Sequence, residues 1–170
     1  MKKFFKITLV LALICGFCKA QDKTSDEAGV RKALEGFGKS WMNADFSDMG
    51  NYVTEDCNWI NVVGMHWKGL KEVQYAHQVF STMFKGVKAE NLFTTIRFIT
   101  KDVAIVYKSA HVGAFYPPDG VNRGFNKQGD SDDLLTIVLV KQKNVWKITS
   151  AENVTIVKQA QANNPVLKMK

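Results

Sequence analysis

From Ala89 onward the sequence runs with a period of two. "AENLFTTIRFIT" reaches Lys101-Asp102 and "VAIVYKSAHVGAFY" follows. After "PPDGVNRGFNKQGDSDD" come "LLTIVLVKQ", the dipeptide "KN" and "VWKITSAENVTIV". Segments this long, rich in Val, Ile, Thr and aromatic residues and divided by turn residues, read as long antiparallel strands. The front of the chain has a different period. Val30, Leu34, Phe37 and Trp41 fall at i, i+4, i+7 and i+11 behind a Thr24–Glu27 capping box. Leu70, Val73, His77, Phe80 and Phe84 share a second helical face, which Gly86 closes. A short helix over 46–53, carrying Met49 and Tyr52, is expected between them. Helices followed by a long-stranded meander make an α+β domain with its helices on one side of the sheet. The glycines among the strands predict a curved sheet.

Two stretches qualify this pattern. Gly36 and Gly38 each weaken the first helix by about 1 kcal/mol relative to alanine, so something is expected to approach its backbone closely. "CNWINVVGMHWKG" reads as a strand with Trp59, Asn61, Val63, Met65 and Trp67 on one side, and Asn58, Ile60, Val62 and His66 on the other. Gly64 marks a bulge or hairpin bend within it.

The amino terminus belongs to a different problem. Lys2, Lys3 and Lys6 precede an apolar run from Ile7 to Phe17, and Cys18 and Ala20 put small residues where a signal peptidase reads. Residues 1–20 therefore read as a signal peptide, and the mature chain as exported, periplasmic or secreted. The run is shorter than the ~20 apolar residues of a spanning helix, so no membrane association is expected after cleavage. Lipid anchoring at Cys15 or Cys18 is disfavoured by the bulky Ile14 and Phe17 before them. The formal net charge of +7 falls to +3 once the segment's four lysines are removed. What remains is spread along the chain and gives no support to nucleic-acid binding, which would want a clustered basic face, so no nucleic-acid partner is expected. Cys57 is the one cysteine left, so no internal disulfide can form. A single domain is expected over 21–158, with 159–170 as a flexible C-terminal tail.

The order of elements, together with "NVVGMHWKG", the histidine of "LKEVQYAHQVF" and the closing W-K-I-x-x-x-x-N segment, resembles the nuclear transport factor 2-like superfamily. Within it the sequence is similar to SnoaL-like domains, closest to the SgcJ/EcaC group, from Glu27 to about Lys158. The resemblance implies a cone: a curved antiparallel sheet wrapped around the N-terminal helices, a pocket open at one end, and a homodimer through the outer sheet face. The superfamily spans isomerases, hydratases, polyketide cyclases and proteins without demonstrated catalysis, so fold places a site without naming a reaction. Its steroid isomerases use an aspartate base on the first strand and a tyrosine donor on the first helix. Laid without gaps on "FGKSWMNADFSDMGNYVTEDCNWINVVG", those positions fall on Asn61 and Phe37. An amide cannot take the proton and a phenyl ring cannot donate one, so that mechanism is disfavoured here.

Three other residues are the candidates for chemistry. His77 lies mid-face on an apolar helix, where it is either a pocket group or a core histidine satisfied by a backbone carbonyl or by Asn61. Glu152 shares a strand side with Trp146, Ile148, Ser150 and Val154, and a carboxylate buried there unpaired would be costly. His111 shares one with Val103, Ile105, Tyr107 and Ser109. A Glu152–His77 or Glu152–His111 pair would be an acid–base couple near neutrality. Phe37, Trp41, Trp59, Asn61 and Tyr107 are the expected ligand-binding walls, and His66 a turn or rim residue. No metal is expected: the histidines stand eleven and thirty-four residues apart, and "GDSDD" lacks the spacing of a calcium loop. No glycine-rich nucleotide motif follows a strand, so no cofactor is expected either. Two functions follow for a small apolar or aromatic partner molecule. One is cofactor-independent acid–base catalysis of the isomerase, cyclase or hydratase kind. The other is non-catalytic binding or accessory work. An acid–base pair inside the cone separates them. The loop 117–133 is either a lid or a plain hairpin connection.

Overall fold

The computed structural model describes residues 24–169, and the signal-peptide reading of 1–20 lies outside the described residues. The first apolar stripe forms helix α1 (24–43), which buries Val30, Ala33, Phe37 and Ser40. Its glycines differ in purpose. A Cβ on Gly29 would stand 2.5 Å from Trp146 Cδ1, and one on Gly36 2.8 Å from the Tyr52 ring, so here other elements press on the helix backbone. At Gly38 nothing among the described residues lies within 4 Å.

The helix expected over 46–53 is reduced to one 3-10 turn, Met49–Asn51. The reason is that side chains of the next helix satisfy this backbone: Phe46 N–H donates to Gln78 Oε1 at 2.9 Å, and Gln74 Nε2 donates to the Phe46 carbonyl at 2.7 Å. Phe46, Met49 and Tyr52 are all buried all the same. The next stretch makes a hairpin instead of one strand. β1 (Val53–Ile60) and β2 (His66–Lys68) pair antiparallel, Trp59 opposite Trp67. Asn61 caps the turn between them, its Oδ1 accepting from Val63 N at 3.1 Å and Met65 N at 2.9 Å. Helix α2 (Gly69–Ser81) follows, then β3 (Ala89–Thr100), β4 (Val103–Val112), β5 (Ser131–Gln142) and β6 (Val145–Thr155). Lys143 and Asn144 turn β5 into β6 with φ of 49° and 63°, the paired positive values of a tight hairpin.

All six strands form one curved, unclosed sheet in the order β2-β1-β6-β5-β4-β3. The expected all-antiparallel sheet has one exception, because β1 runs parallel to β6. The helix-side face is built in rows across the strands. Trp59, Ala151, Ile137, Val106 and Ile96 make one row, and Ile148, Leu139, Ala104 and Phe98 the row beneath it. One row further along, the face turns polar: Asn153, Leu135, Lys108 and Thr94. The core therefore sits under the first two rows, against α1 and α2.

The segment between β4 and β5 seats on the end of α2. Phe115 bridges Gln128 and packs against Phe84, just past α2, with the rings tilted by 35° and 4.3 Å between centroids. After β6 the chain carries two short helical pieces, α3 (Lys158–Gln161) and a 3-10 turn, Pro165–Lys168. No helix among the described residues is long and apolar enough to cross a membrane.

Candidate functional site

His77 is the centre of the aromatic core. Its ring lies 4.6 Å from the Trp59 centroid, 5.3 Å from Phe46 and Trp67, 5.6 Å from Phe37 and 5.7 Å from Trp41. Trp59, Phe37 and Trp41 are three of the residues expected to wall a pocket, and they do meet. They meet as packed rings around a 4% exposed imidazole. Nδ1 lies 2.7 Å from the Val73 carbonyl one turn back, and since a carbonyl only accepts, Nδ1 carries the proton. Burial dominates the titration and pushes the pKa down to about 4 against the modest opposite pull of that hydrogen bond. The ring is neutral at pH 7 and Nε2 offers only a weakly basic lone pair. A base of that strength is poorly matched to proton transfer near neutrality.

The partner that would activate it is elsewhere. Ile148 pairs Leu139 while Ser150 pairs Val138, so β6 spends one extra residue there and its alternation reverses. Trp146 and Ile148 face the helices, but beyond the bulge Ala151 takes that side and Glu152 turns outward, exposed, opposite Thr136. Tyr107 flanks the same Thr136 on the outer face and is 37% exposed, so it is no wall of the interior. His111 also stands on the outer side. Its Nδ1 donates to Asp132 Oδ1 at 2.8 Å, and Asp130 Oδ1 is 3.6 Å from Nε2. That bond, and then Lys158 at 3.1 Å, hold the Asp132 carboxyl below its usual range. Neither Glu152–His77 nor Glu152–His111 is formed. Asn61, expected to face the hollow, sits in the β1–β2 turn with its carboxamide committed to the turn backbone. His66 is exposed and 3.0 Å from Asn58 Oδ1. Of the acids of "GDSDD", Asp130 pairs with Lys127, Asp132 with His111 and Lys158, and Asp133 accepts from the Thr155 hydroxyl. No group of three or more His, Cys, Asp or Glu among the described residues is placed to hold a metal ion.

A concavity of about 360 Å³ opens along the flank of α1 instead. Leu34, Gly38 and Met42 on the helix face Asn91, Thr94 and Lys108 on β3 and β4. Lys108 belongs to the row where the helix-side face turns polar. Partial burial lowers its pKa, and no opposing attraction from an acid offsets it.

The profile of the SnoaL-like domain family matches residues 30–152. The chain belongs to the SnoaL-like family. Among curated proteins no sequence matches it. Among solved structures, this SnoaL-like domain is similar to an uncharacterised cystatin-like-fold protein from Caulobacter vibrioides, at 27% identity and a TM-score of 0.76. The match covers 84% of this chain and 98% of that one. It also shares its fold with a candidate ketosteroid isomerase from Shewanella frigidimarina, at 20% identity, TM-score 0.59, and 74% and 94% coverage. A third similar fold is a candidate scytalone dehydratase from Novosphingobium aromaticivorans, at 15% identity, TM-score 0.61, and 81% and 89% coverage.

Sequence reasoning passed over Lys108 in this SnoaL-like domain because it followed the Tyr107–His111 side of β4. The clue was there in the other side, Ala104, Val106, Lys108 and Ala110: a lone cation among small and aliphatic residues.

Proposed function

We propose that this SnoaL-like domain binds a small, largely apolar molecule without transforming it, as a binding or accessory domain. One observation supports this over acid–base catalysis. The interior histidine is neutral, held by a backbone carbonyl and ringed by aromatic side chains, while the carboxylate that would pair with it faces outward. General acid–base chemistry needs a group of matched pKa within hydrogen-bond reach of the substrate, and His77 offers neither. The finer placement with the SgcJ/EcaC group rests on "NVVGMHWKG", His77 and the closing Trp146–Asn153 segment.

Two further parts of the reading concern context. Export follows from the basic and apolar start of the chain, with cleavage near Ala20. Homodimerisation would use the outer sheet face, where Phe93, Tyr107 and Val154 leave apolar surface in the open.

Paired binding and turnover measurements test the proposal. The purified chain is titrated with a panel of small aromatic alcohols, ketones and acids, following tryptophan fluorescence, and each molecule is recovered and analysed by mass spectrometry. Saturable binding with unchanged recovery is expected. Conversion of any bound molecule at a rate abolished by His77→Leu would refute the proposal.

A further inference from the structure

The groove on the flank of α1 has two features that the fold does not need. One is Lys108. In the row Asn153–Leu135–Lys108–Thr94 its direct neighbours across the sheet are Leu135 and Thr94, neither of which carries charge. Asp133 is one row away on the same face, but its carboxylate takes the Thr155 hydroxyl at 2.9 Å, and burial raises its pKa. Lys108 makes no ion pair or hydrogen bond with another described residue. Lysines withdrawn from water are ordinarily paired, because an unpaired charge there is costly. The second feature is Gly38. In mid-helix a glycine is unfavourable, and Gly29 and Gly36 have packing reasons that Gly38 lacks. What its missing side chain leaves is open groove beside Leu34 and Met42.

We propose that this groove binds a small amphipathic carboxylate, its acid group paired with Lys108 Nζ and its apolar body against Leu34, Gly38 and Met42. The inference rests on the binding reading above and gives it a ligand class and a place. Charge favours it: Arg31, Lys39 and Lys108 line the groove against the single acid Glu35, and Arg31 is already paired with Glu27 at 2.6 Å. On the helix side Leu34, Gly38 and Met42 alternate with the charged Arg31, Glu35 and Lys39. On the strand side Lys108 stands beside Thr94, whose hydroxyl donates to Asn91 at 2.9 Å, so an acid group placed on Lys108 leaves its apolar body to Leu34, Gly38 and Met42.

The test uses a matched pair of probes, 1-naphthoate and 1-naphthalenemethanol, titrated by calorimetry at pH 7 into the wild-type chain, Lys108→Met and Gly38→Leu. Lys108→Met keeps the stem and removes an uncompensated charge, so its folding is not at risk. The expected result is that naphthoate binds on the order of tenfold or more tightly than the alcohol. Lys108→Met should erase that difference, and Gly38→Leu should remove binding of both. Equal affinity for the two probes, unchanged in Lys108→Met, would overturn the carboxylate assignment while leaving the binding reading intact. Binding that survives Gly38→Leu would overturn the location. Absence of binding by either probe would overturn this inference and count against the binding reading too.

Discussion

Acid should unfold this protein through His77. The imidazole titrates at 6.5 when free and at about 4 in the folded core. Above pH 6.5 it is neutral in both states and costs nothing. As the pH falls below that, the unfolded chain gains a proton at His77 that the folded chain refuses, so stability present at neutral pH is lost between 6.5 and about 4. Linkage puts the loss at about 2 kcal/mol at pH 5 and about 3 kcal/mol at pH 4. Small domains have only ~5–15 kcal/mol in total, so the loss is large. The perturbation is His77→Leu, and the assay is urea unfolding by far-UV circular dichroism at pH 7, 5 and 4, on wild type and variant. Subtracting the two pH profiles cancels every contribution that wild type and variant share. The wild type should lose about 3 kcal/mol more than His77→Leu between pH 7 and 4. Parallel profiles would mean that the imidazole takes its proton in the folded state as readily as in water, and the account of a desolvated, ring-packed histidine would be wrong.

Two other predictions follow from packing. Gly38→Ala should raise stability by about 1 kcal/mol in thermal or urea unfolding, whereas Gly36→Ala should lower it, because the added methyl meets the Tyr52 ring at 2.8 Å; equal effects would refute the distinction. Cys57 is buried and its thiol is pushed up to about 11, mainly by desolvation, so iodoacetamide at pH 8 should modify it only after unfolding in urea, as read by intact mass.

The architecture was largely legible from the sequence, because helix stripes and long alternating strands are set by burial on one face. Both tight turns, at Lys101-Asp102 and Lys143-Asn144, fall where the dipeptides put them. What failed was phase. One residue of bulge in β6 reversed the sides of Glu152 and Ala151, and a strand's alternation cannot reveal where it slips. Asn61 was assigned a strand side, yet it lies just past the end of β1, where a side-chain amide is more useful tying down a turn. Of the aromatic members of the expected site, Phe37, Trp41 and Trp59 come together in the core, where burial of apolar rings places them, while Tyr107 stands on the outer face. The polar members depended on pairing partners that only the assembled sheet supplies.

The parallel contact of β1 with β6 has a consequence for how the molecule must be made. Val53 is joined to Ile148, and Trp59 to Ala151, across some ninety intervening positions. Closing so wide a loop has to be paid in chain entropy before the contact returns anything. During synthesis the aromatic centre therefore waits for the final strand to leave the ribosome, and a nascent chain halted before Ala151 would expose Trp59 along a bare strand edge, a natural target for a chaperone.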